Sequence, residues 1–251
     1  MKNSRLRKKI YVFFSSVLIF MIHLPFSFAR PKDKELKPVT VKHVAVNSTS
    51  KLREERMFIY DSLKLNILGL SQKAYDYALD GLDKLKRAGK ITNDKLISIV
   101  DFTKSSAQKR LFIIDLEKHQ LLFNTYVAHG QNSGAEFARN FSNAPESFQS
   151  SLGFYETSET YNGKHGYSLH LNGLERGVND KADQRAIVIH GAPYVSEGYI
   201  QAKGYIGRSW GCPAIPEKMV KPIIDKIKEG TCLFIYGENN KYLKHSRILN
   251  S

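Results

Sequence analysis

A chain of 251 residues is long enough for one large domain or two modest ones, and at 42% hydrophobic and 11% aromatic it can fill a packed core, which excludes a disordered or collagen-like protein. A formal net charge of +14 suits a polyanionic neighbour such as cell wall, lipid headgroups or nucleic acid. Two cysteines are too few for a disulfide-built scaffold but enough for one bridge.

The first segment, MKNSRLRKK, holds five lysines and arginines and no acid, and the apolar run IYVFFSSVLIFMIHL follows. This is the charged head and apolar body of an export signal, and Ser27 and Ala29 supply the small-residue pattern for cleavage after Ala29. An uncleaved anchor is the alternative. The run is shorter than the roughly 20 residues a spanning helix needs, and His23 and Pro25 interrupt its end. Export places the chain away from nucleic acid, and no zinc-finger spacing or RNP motif argues for it.

Residues 30–56 are charged, carry Pro31 and Pro38 and show little helical periodicity, so they read as a basic tether. Residues 57–93 read as a helical prelude: a short helix over 57–65, then SQKAYDYALDGLDKLKRAG, with Ser71 as N-cap, apolar residues at Ala74, Tyr75, Ala78, Leu82 and Leu85, and Gly89 as stop. From residue 94 the pattern changes to KLISIVDF, RLFIIDL, QLLFNTYVA, GFYETSETY, YSLHL, RAIVIHG and TCLFIYG. These predict an antiparallel domain of roughly six to eight strands over 94–237, mostly β with helices (α+β). A last helix is expected over 217–228, and residues 238–251 read as a basic C-terminal tail.

Two segments carry candidate chemistry. IVIHG ends a strand with His190 at its tip, and RSWGCPAIP places Cys212 in a loop 22 residues later. A thiol and an imidazole in neighbouring segments make a nucleophile when the imidazole takes the thiol proton or holds the thiolate as an ion pair. Gly211 lets the backbone turn tightly and brings main-chain N–H groups within reach of a substrate carbonyl. On spacing alone the competing assignment stays open, in which Cys212 pairs with Cys232 and His190 is an ordinary loop histidine. Zinc is a further alternative through His129, His165, His170 and His190, but no HExxH or Cys-x-x-Cys pattern is present, and GKHG at 163–166 lacks the phosphate-loop pattern.

The blocks DFTKSS, RLFIIDL, TYVAHGQNSG, the long run from FSNAPESF to RGVND, RAIVIHGAPYV and GRSWGCPAIP occur in this order between Asp101 and Gly237. Together they resemble the murein L,D-transpeptidase catalytic domain family, related to the YkuD-type cysteine transpeptidases of bacterial cell walls. The resemblance implies a YkuD-like β-sandwich preceded by a short helical segment. It also implies a thioester mechanism on peptidoglycan stem peptides, without metal or organic cofactor, in the periplasm or cell envelope. Carried over, Cys212 is the nucleophile, His190 the base, the Gly191 carbonyl its orienting group and the N–H groups of Gly211 and Cys212 the oxyanion donors, and a free thiolate displaces the disulfide assignment. Tyr194, Arg208, Ser209 and Trp210 become substrate-binding candidates.

The sequence departs from the broader pattern S-H-G-C at Trp210, and at Ala214, where arginine is common. The resemblance leaves open hydrolysis of the same thioester (an L,D-carboxypeptidase or endopeptidase) and a non-catalytic wall-binding module. The protein is expected as a monomer with no stable membrane insertion once the leader is removed.

Overall fold

The computed structural model describes the backbone of residues 40–250 and side chains from Ser50 onward; the leader and the first part of the tether lie outside the described residues. Residues from Lys51 on form one compact unit. Helix α1 (Thr40–Ser62) begins well inside the stretch expected to be irregular. Arg56 anchors the C-terminal part of this helix. It pairs with Asp80 and Asp83 of helix α2 (Gln72–Arg87), while Ile59 and Tyr60 bury one turn later. Residues 51–55, four of them charged, are exposed all round, and that composition hides the helix from a periodicity reading.

Ser71 caps α2 as expected, its hydroxyl accepting from the Ala74 N–H at 3.2 Å, and the buried face of Ala74, Tyr75, Ala78, Leu79, Leu82 and Leu85 packs on the sheet. Seven strands form on the expected segments, some overrunning them by one or two residues: β1 (Asn93–Asp101), β2 (Leu111–Asp115), β3 (Gln120–Thr125), β4 (Gly153–Gly163), β5 (Gly166–Gly173), β6 (Val188–Gly191) and β8 (Thr231–Tyr236). The eighth, β7 (Ala214–Ile215), is only two residues long and lies inside GCPAIP, too short to show a period. All join one sheet in the order β3-β2-β1-β8-β4-β5-β6-β7.

The expectation of an all-antiparallel domain needs correcting at two places, because β1 pairs β8 and β6 pairs β7 in parallel. Parallel pairs need long crossovers, and the first of these spans nearly the whole domain. Beyond β3 the chain runs on to bridge β7, Ala128 opposite Ala214, and then the loop before it, Gly130 opposite Ser209. The two edges of the sheet therefore meet, and the meeting line lies beside Cys212.

Helix α3 (Glu197–Lys203) follows β6, and helix α4 (Val220–Ile227) follows β7, burying Ile223, Ile224 and Ile227. Pro222 sits in the first turn of α4, where its missing N–H is not needed. Within the basic C-terminal tail, residues 240–250 form helices α5 (Asn240–His245) and α6 (Arg247–Asn250). Buried Glu175 explains the docking: Tyr242 Oη donates to one carboxylate oxygen at 3.0 Å and Ser246 Oγ to the other. Among the described residues no helix is long and apolar enough to cross a membrane.

Candidate active site

The loop before β7 is built around Ser209. Its hydroxyl donates to the Cys212 carbonyl at 2.6 Å and accepts the Gly211 N–H at 3.1 Å, closing the turn from inside. Its own main chain is laced to the neighbouring segment, Ser209 N–H to His129 O at 2.9 Å and Gln131 N–H to Ser209 O at 2.7 Å. Gly211 has φ +128°, and a Cβ there would stand 2.9 Å from the Gln149 carbonyl. The buried Ser150 hydroxyl donates to the Gly211 carbonyl at 3.2 Å. Each contact fixes the turn that presents the half-buried Cys212.

His190 lies on β6 opposite Ala214, two residues beyond the cysteine. Its Nδ1 is 2.8 Å from the Gly191 carbonyl, and since a carbonyl only accepts, Nδ1 carries the proton and Nε2 keeps the free lone pair. Gly191 is required by close packing: a Cβ would fall 2.5 Å from the Val220 side chain. The Cys212 thiol donates to the Ala186 carbonyl at 3.5 Å. Thiol and imidazole share no direct hydrogen bond, and such pairs commonly tighten only when substrate arrives.

Electrostatics agree with a neutral pair. Burial pushes the Cys212 thiol up, and the partial offsets come from a Val188 backbone hydrogen bond and the Arg185 charge. Burial lowers the His190 imidazole, the Gly191 hydrogen bond opposes this, and nearby His165 lowers it further. Of the two activation modes, proton transfer to a neutral imidazole fits this site better than a standing ion pair.

Beneath the loop, fully buried Arg110 donates to Val127 O from Nε and Nη2 at 3.0 and 2.9 Å, to Lys104 O at 2.9 Å, and to His129 Nδ1 at 2.7 Å. Arginine has no acceptor, so His129 carries its proton on Nε2, facing Gly134 O at 3.3 Å. Burial first, and then the Arg110 charge, lower His129 to about 3. Arg185 donates to the carbonyls of Ser142 and Gln149 and to the hydroxyls of Ser147 and Ser151, ordering the strip that flanks Gly211.

A family model of the L,D-transpeptidase catalytic domain, of the YkuD type, matches residues 66–236. This chain belongs to that family. Solved structures that match part of this chain include an L,D-transpeptidase from Mycobacterium smegmatis, 10% identical with TM-score 0.35, the match covering 57% of this chain and 59% of that one. Another is the helical cell shape determining protein Pgp2 from Campylobacter jejuni, 14% identical with TM-score 0.39, covering 58% and 48%. A third is an L,D-transpeptidase from Stackebrandtia nassauensis, 15% identical with TM-score 0.34, covering 65% and 68%. The chain thus spans less than two thirds of the first two. No curated protein matches the sequence.

In this L,D-transpeptidase domain the residues expected to act together gather around one turn, with adjustments. The Gly211 N–H is taken by Ser209 Oγ, so it is not the free oxyanion donor the sequence led one to expect. Tyr194 sits near the thiol, its hydroxyl raised to about 12 by burial and by the Cys212 charge. Arg208 lies on the carbonyls of Gln131 and Gly134 at 3.4 and 3.2 Å, and Trp210 is 70% exposed against Phe148, ring centroids 5.5 Å apart. Ala214 is fully buried with Ala128, Ala192 and Ile206, which leaves no room for an arginine side chain.

Both thiols are free, Cys232 lying buried in β8, so the disulfide alternative is not formed. The four histidines weighed for zinc are used otherwise: His129 on Arg110, His170 against the Tyr161 ring, and His165 against His190. Sequence reasoning missed Arg110 and Arg185. The first left one signal, a cation heading the apolar run LFIID.

Proposed function

We propose that the protein is an exported, cysteine-dependent L,D-transpeptidase of peptidoglycan. Cys212 Sγ attacks the carbonyl between the L and D centres of a donor stem peptide, and His190 Nε2 takes the thiol proton and returns it to the departing amine of the terminal D-residue. An amine of a second stem then resolves the thioester and regenerates the thiol. The observation that carries this reading is the parallel β6–β7 pair, which brings His190, with Nδ1 held by Gly191 O, beside the turn that presents Cys212. The Cys212 N–H is the oxyanion donor left once Gly211 is engaged. In this reading Arg208, Tyr194 and the exposed Trp210 hold the donor stem, and the basic chain suits an anionic wall.

Incubating the protein without its leader with tetrapeptide muropeptides tests the reading. A 3-3 crosslinked dimer is expected; tripeptide monomer alone would mean that water resolves the thioester, and no product would overturn the assignment. Intact-mass analysis with a carbapenem should show one adduct on wild type and none on Cys212→Ala. His190→Ala should slow acylation by a factor of about 100 or more.

A further inference from the structure

GKHG at 163–166, unexplained by phosphate or zinc chemistry, is the tip of the β4–β5 hairpin. At its base the hairpin is flanked on both sides, β8 pairing β4 over Gly153–Glu156 and β6 pairing β5 at Leu169 and His170. Beyond these pairs it continues as a two-stranded ribbon, Tyr161–Gly163 against Gly166–Ser168, and a register shift between Thr157 and Thr160 redirects it. The ribbon leans on α4, where Tyr167 Oη donates to Asp225 at 2.8 Å and Lys221 holds the same carboxylate at 2.6 Å. The first residue of α4, Val220, is also the one packed against Gly191. One helix therefore sets both the ribbon and the residue that orients His190. At the tip, the His165 ring stacks on the His190 ring, centroids 4.5 Å apart and planes 28° from parallel.

We propose that His165 is a positioning residue for His190, a ribbon-borne ring that holds the imidazole plane while the Gly191 carbonyl holds its Nδ1. The inference rests on His190 acting as the base. A single hydrogen bond to Nδ1 leaves the ring free to tilt about that bond, and a flat partner against one face removes that freedom. An exposed two-residue hairpin turn has no packing requirement for an imidazole, so the stacking contact accounts for a histidine where a small polar residue would suffice.

The test measures muropeptide transfer together with the ring-nitrogen shifts of His190 by NMR, on the protein without its leader. His165→Ala is expected to lower kcat about tenfold, as for a small misplacement of a catalytic group, with KM changed less than about twofold. It should also move the His190 nitrogens from a single Nδ1–H pattern towards tautomer averaging. His165→Phe keeps a stacking ring without a titratable group, and should recover kcat to within about threefold of wild type. Lys164→Ala, on the same turn, should match wild type.

Unchanged kcat and nitrogen shifts in His165→Ala would overturn the proposal, as would His165→Phe as slow as His165→Ala, or an equal loss in Lys164→Ala. If wild type neither transfers nor hydrolyses, the functional reading fails, and the His190 shifts still decide the matter: a change in His165→Ala upholds the positioning role and no change refutes it.

Discussion

Ser209 Oγ holds both ends of the turn that carries Cys212, so its removal separates two effects. Ser209→Ala strands the Gly211 N–H in a buried place and frees the Cys212 carbonyl. A stranded buried donor costs about 1–3 kcal/mol, which urea unfolding should register, and Cys212 alkylation should slow beyond what that loss explains. Ser209→Thr keeps the hydroxyl and should restore both. The pH dependence of the thiol is set three residues further on, at Cys212. With the thiol raised by burial and the imidazole lowered, neither is ionised near neutrality, so iodoacetamide alkylation should climb continuously through and above the ordinary thiol value of about 8.5. A plateau already reached below pH 6 would mean a standing thiolate–imidazolium pair and refute the neutral-pair reading.

Arg110 shows the element scale, because it ties β2 to the strip that laces the cysteine turn. Arg110→Leu leaves Val127 O, Lys104 O and His129 Nδ1 without their donor and should lower stability by about 3–5 kcal/mol in chemical denaturation. Arg110→Lys should recover only part, since one ammonium cannot reach the spread of acceptors the guanidinium spans. A fully buried cation without a carboxylate on it is invisible to period and composition, which is why only its position at the head of an apolar run hinted at it. The strands themselves were legible, since β-branched and aromatic runs report burial directly. Cys212 and His190 were legible through motif and order. The tip histidine, the two-residue β7 and the docked C-terminal helices were not, because each owes its place to a partner far away in sequence: His190, the edge of β6, and Glu175.

At the scale of the whole molecule, acid should weaken the fold through the histidines that support the site. His129 is held neutral, lowered from 6.5 to about 3, so between those values the unfolded chain binds a proton that the folded chain does not. Stability from this group is therefore complete above about pH 6.5 and is lost as pH falls, by about 2 kcal/mol on reaching pH 5. His190, also lowered, acts in the same sense, whereas buried Glu175 is raised and opposes them, since the folded state holds its proton longer. Their sum blurs the contribution of any one group to a simple acid titration of stability, so the comparison must be differential. His129→Gln offers Arg110 an amide oxygen and Gly134 O an amide N–H in place of the two ring nitrogens, and it does not titrate. Unfolding free energies measured by urea at pH 7 and pH 5 should fall about 2 kcal/mol less in the variant than in wild type. Equal falls in the two proteins would show that His129 takes up its proton without cost, contrary to an imidazole buried against a guanidinium.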